Sequence, residues 1–172
     1  HIHPALEREV RPVSMYRPGT GERRVVYHHS IGSEVTDQLL GSAVGLILVY
    51  HNVTPPEFFA AVDPELAQQM VRGREQLAAL CPRTDLAIGV SPYNERELVA
   101  FGFSRTAVLP LALDESRYAV PDNANLAMQL QEARPVLLFV GRLVPNKKQE
   151  DLLKLLYYVR RIQPTARLVL VG

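Results

Sequence analysis

The sequence predicts an α/β fold in which parallel sheets carry helices on both faces. Short apolar runs rich in Val, Ile and Leu alternate with stretches of helical periodicity, the pattern of a doubly wound arrangement. Proline-marked helix starts separate several of those runs, and a polar stretch from Asp114 to Pro135 interrupts the alternation once.

The elements follow in order. Val25 to His28 is the first expected strand and Gly45 to His51 the second. Asp63-Pro64-Glu65 sets an N-cap before a proline at the first helical position, and Leu66, Met70, Leu77 and Leu80 then recur at helical spacing. After a strand from Leu86 to Val90, Ser91-Pro92-Tyr93 repeats the cap, and Leu98 and Phe101 form the apolar stripe of a helix stopped by Gly102. Ala107 to Leu113 reads as the next strand. Asp114 to Pro135, with Pro121-Asp122-Asn123 and a short polar helical pattern around Leu126 to Glu132, reads as a crossing between domains. Val136 to Gly141, a helix from about Lys147 to Ile162 striped by Leu152, Leu155, Leu156 and Val159, and Leu168 to Val171 complete a βαβ unit, with Gln163-Pro164 ending the helix. The expected division is a first domain over 1–114, a linker over 115–134 and the opening of a second domain over 135–172.

Composition limits the function classes. A chain of 172 residues with 47% hydrophobic content can bury a core, and 19 basic against 18 acidic residues offer no net field for nucleic acid. Any anion site must therefore be local. The single cysteine, Cys81, excludes an internal disulfide and a multi-cysteine metal cluster, and it suits a small apolar role near a helix end. The longest apolar run, Ala43 to Tyr50, is of strand length, so a membrane-spanning helix is not expected and a cytoplasmic setting is. The opening residues His1 to Pro4 carry no signal-peptide pattern and no initiator methionine, so the true start is expected to lie upstream.

In open parallel sheets ligands bind beyond the carboxyl ends of the strands. Three such ends carry polar chemistry: His28-His29-Ser30, His51-Asn52-Val53-Thr54, and Gly141-Arg142 with Lys147 close behind. In the last of these Asn146 is expected to cap a helix starting at Lys147, with Gln149 at N3 in a capping-box arrangement. A helix N-terminus flanked by Arg142 and Lys147, with Gly141 allowing close approach, suits a phosphate or diphosphate; the alternative is two solvated charges on an ordinary βα loop. His51 could donate to a sugar hydroxyl or phosphate oxygen, with Asn52 and Thr54 as further polar groups, or it could simply pack at the strand end. His28 and His29 should point to opposite faces, so at most one meets a ligand. No metal-ligand spacing, Gly-x-Gly-x-x-Gly or Walker loop accompanies these residues. Glu95 and Glu97 read as the solvated start of their helix, and Tyr157-Tyr158 as helix packing.

The stretch Leu137-Leu-Phe-Val-Gly-Arg-Leu-Val-Pro-Asn-Lys-Lys148, its amphipathic helix, Pro164 and Ala166-Arg-Leu-Val-Leu-Val-Gly172 resemble the opening βαβ unit of the donor domain in family-four, group-one glycosyltransferases. Tyr50-His-Asn-Val-Thr-Pro-Pro-Glu-Phe-Phe59 is similar to an acceptor-domain loop of a bacterial branch of that family. Ser91 with Asn94-Glu95-Arg96-Glu97-Leu98 and Gly102-Phe103 resembles its next helical unit, and Val108-Leu-Pro-Leu-Ala-Leu-Asp114 its hinge strand. The resemblance implies a partial GT-B fold of two incomplete Rossmann-like domains, and retaining sugar transfer from a nucleotide-sugar donor to a carbohydrate, lipid-linked or small-molecule acceptor without a required metal or other cofactor. It implies that Gly141, Arg142 and Lys147 hold the donor diphosphate and that His51 is catalytic. Asn52, Thr54, His28 and Ser30 are then acceptor-side candidates.

The family often has glycine where this chain has Lys148, so either Lys147 or Lys148 could face the phosphate. The family's first strand and glycine-containing loop have no counterpart before His1, and its paired-glutamate motif has none before Gly172. The chain as given is therefore expected to be inactive and to self-associate through open sheet edges. Peripheral membrane association is an expectation for the whole protein. Competing readings are another GT-B enzyme such as a nucleotide-sugar epimerase, which needs cleft carboxylates that the sequence does not offer, and a non-catalytic nucleotide- or sugar-binding module.

Overall fold

A computed structural model describes residues 6, 8–12, 15–16, 24–121, 123–131 and 134–172. His1 to Pro4, Asp122 and the expected helix end at Glu132 lie outside them. The chain divides into two compact units, His1–Leu111 and Ala112–Gly172. Both are α/β with parallel strands and packed helices, a Rossmann-like arrangement.

The first unit runs β1 (Arg24–His29), α1 (Glu34–Leu40), β2 (Gly45–Tyr50), α2 (Pro64–Leu80), β3 (Thr84–Gly89), α3 (Pro92–Phe101) and β4 (Thr106–Val108). The strands lie in the order β1-β2-β3-β4, all parallel. Sequential order with right-handed crossovers brings every connection back over the same face. The side chains agree. Tyr27 on β1 bonds Thr36 of α1 at 2.7 Å, His29 reaches Gly73 of α2, and Tyr50 on β2 and Thr106 on β4 reach Glu97 and Glu95 of α3. Among the described residues of this unit, α1, α2 and α3 all lie on the face of Tyr27, His29, Leu48 and Tyr50. That face is the core. Leu46, Leu48, Tyr50, Leu77, Leu80 and Leu98 are all at most 1% exposed.

The helix starts form as their sequences dictate. Asp63 accepts from Leu66 N and Ser91 from Asn94 N, each before a proline at the first turn, and Gly102 closes α3 in the left-handed conformation at φ 95°. Helix α1 has no counterpart in the sequence reading: it is 7 residues long, capped by Ser33, and too short to display a helical period. Strand β4 stops at Val108 where a run to Leu113 was expected. Leu109 N makes a last bond to Gly89 O at 3.0 Å, and Pro110 has no N–H to continue the ladder.

In the second unit, α4 (Ala124–Gln131) precedes β5 (Val136–Val140), α5 (Gln149–Arg160) and β6 (Arg167–Val171). Asn123 caps α4 through Leu126 N, and β5 and β6 pair in parallel from Val136↔Arg167 to Val140↔Val171. No described helix is long and apolar enough to cross a membrane.

Candidate functional site

At the carboxyl rim of the first unit, His28 and His29 leave β1 on opposite faces, as strand alternation requires. His28 turns away from the helix layer and its Nδ1 lies 2.7 Å from Nε2 of His51, with the rings stacked at 5.0 Å and 25°. An N–H···N bond needs one ring to be neutral, because two imidazolium ions would bring two N–H groups face to face. Burial, then the charge of His28, holds the His51 imidazole below the usual histidine range. The pair therefore carries at most one proton readily.

Other groups share this rim. Asn52, half-buried, follows in the left-handed conformation at φ 74°; Thr54 is half-buried and Ser30 exposed. The structure thus joins His28 to His51 directly and sets Asn52 next in the chain, while among the described residues no hydrogen bond links Ser30 or Thr54 to the pair.

His29 goes inward and is fully buried. The contact atom of Gly73 is its carbonyl oxygen, so His29 Nε2 donates to it at 2.9 Å and Nδ1 is the bare nitrogen, buried and without a partner among the described residues. Burial holds this imidazole below the usual range, against the opposing pull of the Gly73 bond.

Tyr50 and Glu97 are rim residues that the sequence did not reveal. Tyr50, 0% exposed, donates to Glu97 Oε2 at 2.7 Å and accepts from Val53 N at 3.1 Å; burial and the Glu97 carboxylate push its phenol up. Arg74 donates to the other oxygen of Glu97 at 2.9 Å. Glu95 and Glu97 are thus not merely solvated helix-start charges, since Glu95 accepts from Thr106 at 2.6 Å. One signal was present: a tyrosine closing an otherwise aliphatic buried strand needs a partner for its hydroxyl.

In the second unit the loop after β5 holds the predicted cations, with a geometry that differs from the expected one. Gly141 continues the ladder through N to Val171 O at 2.8 Å and adopts φ 155°, where a Cβ would meet the Phe139 ring at 3.3 Å. Pro145–Lys147 forms a separate 3-10 turn, and α5 begins only at Gln149 after Lys148 in the left-handed conformation at φ 50°. Asn146 therefore does not cap the helix: it sits inside the turn with Oδ1 buried and without a partner among the described residues. Gln149 makes no capping box either. Its amide donates to Arg142 O at 3.0 Å, tying the loop back on itself.

Arg142, Lys147 and Lys148 are exposed, and no side chain caps the N-terminus of α5. Of the acids in its first turn, Asp151 is taken up by Lys154 at 2.9 Å. An apolar-floored groove of about 600 Å³ between α4, α5 and β6 includes Arg167, so it opens at the amino end of β6, away from this loop. Tyr157 and Tyr158 stack edge to face with each other and are each 63% exposed, so they do not pack into a core.

The left-handed Lys148 carries a checkable consequence. A non-glycine residue there costs about 1–2 kcal/mol, of which glycine would return part as lost unfolded-chain restriction. Lys148→Gly is expected to raise stability by about 0.5–1 kcal/mol, read from the urea midpoint.

Among the described residues no group of three or more His, Cys, Asp or Glu side chains is placed to hold a metal ion. No protein-family model, curated protein or solved structure matches the chain.

Proposed function

We propose that the protein is a GT-B-type glycosyltransferase that moves a sugar from a nucleotide-sugar donor to a hydroxyl acceptor with retention. The observation that carries this reading is the loop from Gly141 to Lys148. It sits at the carboxyl end of a parallel strand, opens with a glycine, presents three exposed cations and leads into a 12-residue helix whose N-terminal N–H groups no side chain caps. Such a loop suits a diphosphate. As the glycosidic bond breaks, negative charge builds on the leaving diphosphate, and Arg142 and Lys147 would attract it more strongly in the transition state than in the bound donor.

The acceptor chemistry in this reading belongs to the first unit. The His28–His51 pair, with one proton between two rings, can donate to an oxygen or receive a proton from a hydroxyl near neutral pH. Asn52 adds an amide for orientation. The reading uses no metal.

Calorimetric titration with nucleoside diphosphates and their sugars tests it. Arg142→Ala and Lys147→Ala are each expected to weaken diphosphate binding by about 10-fold or more, since a charge-assisted hydrogen bond contributes about 1.5–3 kcal/mol. Failure of every nucleotide to bind would remove the proposal, and binding without sugar transfer would turn it into a non-catalytic binding module.

A further inference from the structure

We infer that Tyr50 and Glu97 form a positioning relay that holds the loop carrying His51 against His28. The backbone on either side of His51 is fixed by two different bonds. His51 N continues the sheet ladder to His29 O at 3.0 Å, and two residues later Val53 N turns inward to the Tyr50 hydroxyl at 3.1 Å. Between them Asn52 takes the left-handed conformation at φ 74°, which asparagine tolerates better than other non-glycine residues. The Tyr50 hydroxyl anchors the chain on the far side of that turn through Val53 N.

The hydroxyl can do so because its own proton is committed. It goes to Glu97 Oε2 at 2.7 Å, which leaves a lone pair oriented for Val53 N; a second, longer approach at 3.4 Å is to Asn52 Oδ1. Glu97 is fixed in turn, since Arg74 holds its other oxygen at 2.9 Å and the Arg74 guanidinium lies 5.5 Å from the centroid of the Phe101 ring. The chain of contacts therefore runs from α2 and α3 through a buried phenol to the rim. A phenylalanine at position 50 would fill the same space and leave Val53 N without its acceptor.

For the reaction proposed above, Tyr50 and Glu97 are then positioning residues for His51. That meaning rests on the functional reading, whereas the mechanical coupling does not. The groups that face the His51 ring or this relay are His28 from β1, Arg74 from α2 and Glu97 from α3.

Ring-proton NMR titration of His28 and His51 tests the coupling without any substrate. In Tyr50→Phe and Glu97→Ala the His51 titration is expected to shift upward toward the ordinary histidine midpoint, because the loosened loop exposes the ring and separates it from His28. Glu97→Gln keeps an acceptor for the Tyr50 proton and is expected to recover most of the wild-type curve. Glu95→Gln, on the same helix but bonded to Thr106, should leave it unchanged.

Tyr50→Phe preserves the ring and is the variant expected to remain folded, which the amide spectrum of β3 reports. A folded Tyr50→Phe or Glu97→Ala protein whose two histidines titrate as in wild type would overturn the relay. Nucleotide calorimetry separates the two ideas: no nucleotide binding by the wild-type protein, with a shifted His51 titration in the variants, removes only the functional meaning, and wild-type nucleotide binding with an unshifted titration removes only the relay.

Discussion

Gly73→Ala is expected to destabilise the protein by about 2–3 kcal/mol, although helix propensity alone gives the opposite sign. Gly73 lies in the interior of α2, where alanine normally stabilises by about 0.8–1 kcal/mol. Here the added methyl has no room. A Cβ at Gly73 would lie 2.7 Å from Gly32 N and 3.0 Å from Ile31 C, both backbone atoms of the loop leaving β1. That loop cannot retreat freely, because Gly32 N is bonded to Gln69 O at 3.0 Å and His29 to Gly73 O itself. Relief would stretch both bonds and loosen the buried imidazole.

Gly41→Ala is the matched control. Gly41 has φ −80° at the end of α1, and a Cβ there would have its nearest contact at 3.6 Å, so a change within about 0.5 kcal/mol is expected. Urea unfolding of the three proteins, with amide exchange in α2 as a local readout, decides the point. A Gly73→Ala protein more stable than wild type would mean that the loop does not bear on α2 as the structure has it.

The second large effect is a loss of stability in mild acid. His29 and His51 are both held below the ordinary histidine value of about 6.5, His29 by burial and His51 by burial together with the charge of His28. The sign follows from proton counting. Above about pH 6.5 both rings are neutral whether the chain is folded or unfolded, so their contribution is complete. As the pH falls below that value the unfolded chain takes up protons that the native state refuses, and stability falls by up to about 1.4 kcal/mol per pH unit for the buried His29 ring and by less for His51, which solvent screens. The loss levels off once the native rings protonate.

This window lies above that of Asp37, whose carboxyl is held low by hydrogen bonds from Gln76 and Arg72 and whose contribution disappears only near the carboxylate range. Denaturant midpoints at pH 7.5, 6.5 and 5.5 should fall in order. His29→Gln retains a donor for Gly73 O without a titrating ring, and it should flatten the slope. An unchanged midpoint across that range would show that neither ring is shielded.

The relation between chain and structure is clearest where a helix begins. Asp63 before Pro64 and Ser91 before Pro92 bond backbone N–H groups three residues on, so their outcome depends on nothing outside a single turn. The opposed faces of His28 and His29 are equally local, being a property of any strand. The α/β class was legible for the same reason, since apolar period and length belong to each segment separately. Asn146 shows where local reading ends. Its spacing to Gln149 matches a cap, but the left-handed Lys148 detaches the turn from the helix, and Gln149 is drawn to Arg142 O instead.

The alternation of strands and helices, the starts of α2 and α3, the stop at Gly102, and the strand ends that carry His28, His51 and Arg142 are all written in short windows of the chain. Which of these residues meet is a matter of packing. His28 finds His51 across 23 positions of chain, His29 finds Gly73 across 44 and Tyr50 finds Glu97 across 47. Each pairing depends on strand register and on the crossovers that gather α1, α2 and α3 over one face. Those are set by how the whole core packs, and no short window of residues contains them.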